Sequence, residues 1–148
     1  MALAGCGLTP VYGTNGPANI LRDAVSFSAP ETVAGFRLRD RLEERLGRAT
    51  APKFALDVQL GQTLTPATIA VDGDATRFNL VGTADWVLHS AAGSSLTSGQ
   101  VETFTSYSAT GSTVATEAAA TDAAARLSVA LADLIVSRLI LAAPGLPQ

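Results

Sequence analysis

The chain has 148 residues, 47% of them hydrophobic and 16% charged, which excludes the polar, highly charged composition of a disordered segment and suits one domain around a single core. Ten Lys and Arg against thirteen Asp and Glu leave a net charge of -3, so no sequence-wide basic field exists to hold nucleic acid. No uninterrupted apolar run approaches the roughly 20 residues that cross a bilayer as a helix.

From Gly7 to Asn19 the Gly and Pro residues recur without a period, which predicts an extended tether. Ile20 to Phe27 then alternates, with Leu21, Asp23, Val25 and Phe27 on one side, and predicts a first strand. Ser28-Ala29-Pro30-Glu31 reads as a capping box with Pro in the first turn. It opens a helix from about Ala29 to Leu46 that stops at Gly47. Gly35, Leu38, Leu42 and Leu46 form its apolar stripe. Arg39 to Glu43 and Glu44 to Arg48 have i,i+4 spacing, worth roughly a few tenths of a kcal/mol each. The other charges read as a solvated face rather than an anion site.

Lys53 to Thr63 places Phe54, Leu56, Val58 and Leu60 on one face and polar or small residues on the other, a half-buried strand. Beyond Pro66 and an Asp72-Gly73-Asp74 turn, Arg77 to His89 predicts the longest strand, with Phe78, Leu80, Gly82, Ala84, Trp86 and Leu88 inward. Gly93 to Ser98 is a hairpin loop, and Gln100 to Ala109 is the returning strand. Phe104 falls out of the alternation there and suggests a bulge. Eight Ser or Thr between Thr103 and Thr116 lead into a helix start. Seven Ala among the eleven residues 115–125 begin a helix that runs to about Leu141, before Pro144. Its main stripe is Ala120, Ala123, Ala124, Leu127, Leu131, Leu134 and Ile135, expected to face the sheet. Val129, Val136 and Ile140 lie on the opposite side, among Asp122, Arg126 and Asp133, a second apolar strip that implies a partner contact or a loosely covered surface.

The order β-α-β-β-β-α predicts an α+β fold: a two-layer sandwich with an about four-stranded, mostly antiparallel sheet and two helices packed on one face. Residues 1–19 form the tether, 20–143 the single domain and 144–148 a tail. No catalytic motif is present. The one histidine, His89, ends a strand with no acid near it in sequence and reads as a surface residue. The serines lack a G-x-S-x-G elbow, and no P-loop or G-x-G-x-x-G occurs. Asp72-Gly73-Asp74 lacks the further acids of a calcium loop. A small hydrolase would require the fold to bring a serine to His89. No cofactor is expected, and the single cysteine, Cys6, excludes a metal site built from Cys pairs.

Leu3-Ala4-Gly5-Cys6 looks like the lipobox at which bacterial lipoproteins are cut and acylated, which makes Cys6 the expected lipid attachment site. Only five residues precede it, so a basic n-region and apolar segment are expected upstream. Cys6-Gly7-Leu8-Thr9-Pro10-Val11-Tyr12-Gly13, Thr76 through Ala84, Ser98-Gly99 through Tyr107-Ser108, and Asp122-Ala123, Arg126-Leu127, Leu131-Ala132-Asp133 and Arg138-Leu139 together resemble the lipopolysaccharide-assembly lipoprotein (LptE) family. The resemblance implies a non-enzymatic subunit, lipid-anchored on the periplasmic side of the outer membrane. It implies as partners an LptD-type lipopolysaccharide-assembly β-barrel, which the subunit helps assemble, and lipopolysaccharide itself. An auxiliary lipoprotein of a phospholipid-transport ABC system is the alternative. Lipopolysaccharide carries phosphates beside acyl chains, and Arg77, at the start of the longest strand and opposite the Phe78 face, is the expected contact. The competing expectation is that Arg77 pairs with Asp72 or Asp74.

Overall fold

A computed structural model describes residues 13, 16–69, 75–109 and 111–147. The elements are β1 (Val25–Ser28), α1 (Val33–Leu46), β2 (Phe54–Ile69), β3 (Ala75–Ser90), β4 (Ser95–Ser108) and α2 (Thr113–Ala142), with short 3-10 turns at Pro17–Ile20 and Ala143–Gly145. One four-stranded sheet has the order β1-β2-β3-β4. β1 runs parallel to β2 and the other pairs are antiparallel. The chain therefore has the predicted α+β architecture, and α1 is the crossover that a parallel pair requires.

The inward faces alternate as the pleat demands. Phe54, Leu56 and Val58 from β2, Ala84, Trp86 and Leu88 from β3, and Val101 from β4 are buried. They form one core with Leu38, Leu42 and Leu46 of α1 and Leu127, Leu131, Ile135 and Leu139 of α2. α2 lies across β3 and β4 while also packing on α1.

Several boundaries differ from the sequence expectation. The strand predicted from Ile20 begins only at Val25, because Leu21 turns into the core and Asp23 takes a left-handed φ of 53°. Such a φ ends any extended run, and Asp tolerates it better than most residues. The first helix is capped by Thr32 rather than Ser28: Thr32 Oγ1 accepts from the Gly35 N–H at 3.1 Å. Ser28 is unavailable, since it is still paired in the sheet with Asp57. At the other end Gly47 has a φ of 82° and donates its N–H to the Glu43 carbonyl, as expected of a terminating glycine. β2 runs past Thr63 to Ile69 despite Pro66. Beyond Asp57 nothing among the described residues pairs on its β1 side, so Pro66 sits on an edge, and the register shifts there absorb it. Pairing through Phe104 is continuous, so the expected bulge is absent. Phe104 faces away from the helices and is 62% exposed. Packing also extends beyond the 20–143 limits, as Ala18 and Leu146 are buried.

The buried stripe of α2 also differs from the expected one. Leu134, expected to face the sheet, is exposed, whereas every fourth residue from Ala123 through Leu127, Leu131, Ile135 and Leu139 to Ala143 is buried. Neither expected i,i+4 ion pair of α1 is present. Arg48 bonds Glu43, Arg41 bonds Glu44, and Arg39 lies over the Phe36 ring at 5.4 Å.

A Cβ built on Gly35 would lie 2.1 Å from the Pro30 carbonyl oxygen, so the turn before α1 presses directly on the helix backbone. Intrinsic propensity alone favours Gly35→Ala by about 1 kcal/mol. We expect the opposite sign: a lowered urea midpoint with an unchanged slope, because the clash is with backbone that cannot move aside.

Candidate functional site

The sheet has one covered face and one open face. On the open face, register aligns Ser26, Ala55 and His89 across three strands. His89 Nε2 lies 3.3 Å from Asp57 Oδ2, both partly exposed. Sequence proximity missed this acid because strand pairing supplies it; alternation within the two strands was the available signal. With Phe54 and Gly93 these residues line a shallow cavity of about 490 Å³. Ser26 donates its hydroxyl to the Phe54 carbonyl at 3.2 Å, and β2 separates it from His89 by two strand spacings, about 10 Å. Ser90 follows His89 directly and so projects to the opposite face, and its Oγ accepts from the Ser94 N–H. The contact that a serine hydrolase requires is therefore absent at both residues. Among the described residues no group of three or more His, Cys, Asp or Glu could hold a metal ion.

The second apolar strip of α2 has a different position from the one expected. Val136 is fully buried and Ile140 packs against the core. Both lie in the row Ser128, Ala132, Val136 and Ile140, next to the sheet-facing row and on the side from which Asp133 bonds α1, the helix on which α2 packs. A helix shared by a sheet and another helix needs two apolar stripes, so the second strip reflects an intramolecular neighbour. Of the three residues only Val129 remains substantially exposed, at 37%. Above this seam Asp133 accepts from Arg41 Nε at 3.0 Å and Nη2 at 3.1 Å and from Arg45 Nη1 at 2.7 Å, joining the two helices. The hydrogen bonds that Arg41 donates to Asp133, and then the one it donates to Glu44, hold its guanidinium well above its ordinary pKa.

Arg77 lies on the open face, exposed, at the far end of β3 and opposite Ser108. On the inner side next to it, Phe78 and Tyr107 stack with ring centroids 5.6 Å apart. Among the described residues no acid pairs with Arg77. Asp72 and Asp74, the partners considered for it, lie outside them, as does Cys6. The segment Thr113–Gly145 is long and apolar enough by composition to cross a membrane, although charged residues break it into shorter apolar runs. Here it is the central core helix.

A four-stranded sheet covered on one face by both helices, with an open polar face and an open edge, defines a small α+β domain. The lipopolysaccharide-assembly (LptE) family matches residues 23–139, and the chain belongs to that family. Solved structures share the fold. A Caulobacter crescentus CB15 chain described as a lipoprotein has a TM-score of 0.69 at 24% identity, covering 87% of this chain and 97% of that one. The rare lipoprotein B of Shewanella oneidensis has a TM-score of 0.64 at 11% identity, covering 82% and 96%. A minor lipoprotein from Acinetobacter baumannii has a TM-score of 0.57 at 15% identity, covering 80% and 91%. No curated protein matches the chain.

The two apolar residues flanking Asp133 separate core from surface. Val136→Asp buries an unpaired carboxylate and should cost about 3–5 kcal/mol, enough to unfold a marginal domain. Val129→Asp should change stability by no more than about 0.5 kcal/mol. Equal urea midpoints for the two variants would contradict this assignment.

Proposed function

We propose that this chain is an outer-membrane lipoprotein, anchored through an acylated Cys6 on the periplasmic side, that partners an LptD-type β-barrel. In this role it helps the barrel assemble and contributes to lipopolysaccharide delivery to the cell surface. The observation that carries the reading is the family match over most of the domain. The physical form agrees: both helices are spent on one sheet face, which leaves the other face and the β4 edge for partners. A single acyl chain holds proteins to membranes only marginally, so the several chains of a lipoprotein anchor make attachment lasting. Val129 is retained as a partner contact, since it is exposed beside the α1 seam. Arg77 is retained as a phosphate contact, with the Ser- and Thr-rich open face around it.

Expression with a complete upstream signal, followed by labelling with a fatty-acid analogue, tests the anchor. Label should appear on the natural chain and vanish in Cys6→Ser; equal label in both removes Cys6 from the proposal. Detergent extraction of the same cells should yield the assembly barrel together with the tagged chain, and its absence would count against the partner role. For Arg77, charge reversal to Glu should lower lipopolysaccharide retention on the purified domain and make the remainder more salt-sensitive, while the melting temperature moves by only a few degrees, as for an exposed site (about 0.5 kcal/mol). Unchanged retention would leave Arg77 without a ligand role.

A further inference from the structure

On one side the sheet ends in the four-residue β1 and, beyond Asp57, in the open edge of β2, which carries Pro66 and two register shifts; on the other side it ends in β4, fourteen residues long. The direction of its backbone groups follows from two contacts. The Ala109 N–H donates to the Thr76 carbonyl at 3.0 Å, so odd-numbered residues bond toward β3. The Ser106 carbonyl instead accepts from Arg126 Nη2 at 3.3 Å, so even-numbered residues point outward. Pairing from Ser108 back to Thr97 has no register shift, which carries this parity along the strand. The N–H and C=O groups of Ser98, Gln100, Glu102 and Phe104 therefore face outward, and among the described residues none of them has a protein partner. Proteins usually protect such edges with Lys, Pro or bulges. Residues 97–106 contain no Lys or Pro, one charge at Glu102, and no bulge.

The edge also has a floor. Residues Asp122, Arg126, Ala130, Leu134 and Arg138 form one i,i+4 row of α2, on the flank of the sheet-facing row opposite α1. The reach of Arg126 to Ser106 shows that this flank overlooks β4. Leu134, at 37% exposure, and Ala130 thus form an apolar shelf under the open strand, while the opposite side of the edge is solvent and Phe104. An added strand would present alternate side chains to the shelf and to water, so the fitting occupant is an extended segment with a two-residue apolar and polar alternation. That is the pattern of an outer-membrane barrel strand, and the mode is strand addition beside a helix.

We infer that β4, from Ser98 to Phe104, receives an extended strand of the barrel partner while that partner is still unfolded, with its apolar side chains on Ala130 and Leu134. This rests on the barrel-partner reading above. Arg126 closes the edge at Ser106 and sets where pairing stops.

The parity provides a sharp test. Glu102→Pro deletes an outward N–H and leaves the β3 ladder intact, so the domain should keep its circular-dichroism spectrum and melting transition. Thr103→Pro deletes an inward one and should unfold the domain, which checks the parity itself. The full chain is mixed with urea-solubilised assembly barrel polypeptide diluted from urea, and capture and amide exchange are read. Wild type should capture the barrel, with exchange over residues 98–104 slowed by roughly tenfold or more. Glu102→Pro and the surface variant Leu134→Asp should each reduce capture by roughly fivefold or more, a loss of about 1 kcal/mol. Capture by wild type that is undiminished in both variants would overturn the strand-addition inference alone. No capture by wild type would instead overturn the partner reading on which it rests. Slowed exchange that depends on the concentration of the chain itself and not on the barrel would identify a second copy as the occupant and equally overturn the inference.

Discussion

The double burial of α2 is the constraint on which the rest of the structure depends. One row of the helix, from Ala123 to Ala143, is buried on the side of β3 and β4, and the adjacent row, Ser128, Ala132 and Val136, is buried on the side where α1 packs. The two rows lie about 100° apart, so rotating the helix to improve one contact spoils the other. Small residues at 128 and 132 let α1 approach, and Ser128, buried, satisfies its hydroxyl by donating to the Ala124 carbonyl at 3.1 Å. Asp133 then clamps the seam from its solvent side with bonds to Arg41 and Arg45. Exposed ion pairs are worth little singly, but a carboxylate shared between two guanidiniums fixes the relative height of the helices.

Because both helices are committed to one side, the sheet presents its other face and its β4 edge to the surroundings. The open face is mostly Ser, Thr, Asn and Gln, with Phe104 exposed and the His89 and Asp57 pair at its far end. It is poorly suited to enclosing a small substrate, since the cavity beside His89 is shallow and Ser26 is engaged with backbone. The family assignment and the architecture therefore meet at the same place: a domain whose core is organised so that one side remains available.

Much of the fold was legible because local pattern and tertiary context agreed. Phe54, Leu56 and Val58 alternate on β2 and are buried, and Leu38, Leu42 and Leu46 recur at helical spacing and are buried. The readings that failed did so where two interpretations share one pattern. Val136 and Ile140 form a second apolar stripe whether the neighbour is another protein or another helix of the same chain. Ser28 and Thr32 are both acceptable caps, and the pairing of Ser28 with Asp57 decided between them. Phe104 breaks a simple alternation whether it is bulged or merely exposed, and the continuous register selected exposure.

By its own residues the chain determined its element types and order, the apolar faces of its strands, the glycine stop after α1 and the family to which it belongs, because these depend on periodicity and backbone preference within short windows. Tertiary structure alone decided which apolar stripe met which neighbour, that Asp57 reaches His89, that Asp133 joins two helices, and that the outward amides of β4 are the even-numbered ones. Each of these depends on the register between segments far apart in sequence, a quantity set by the whole core packing at once and written in no single stretch of the chain.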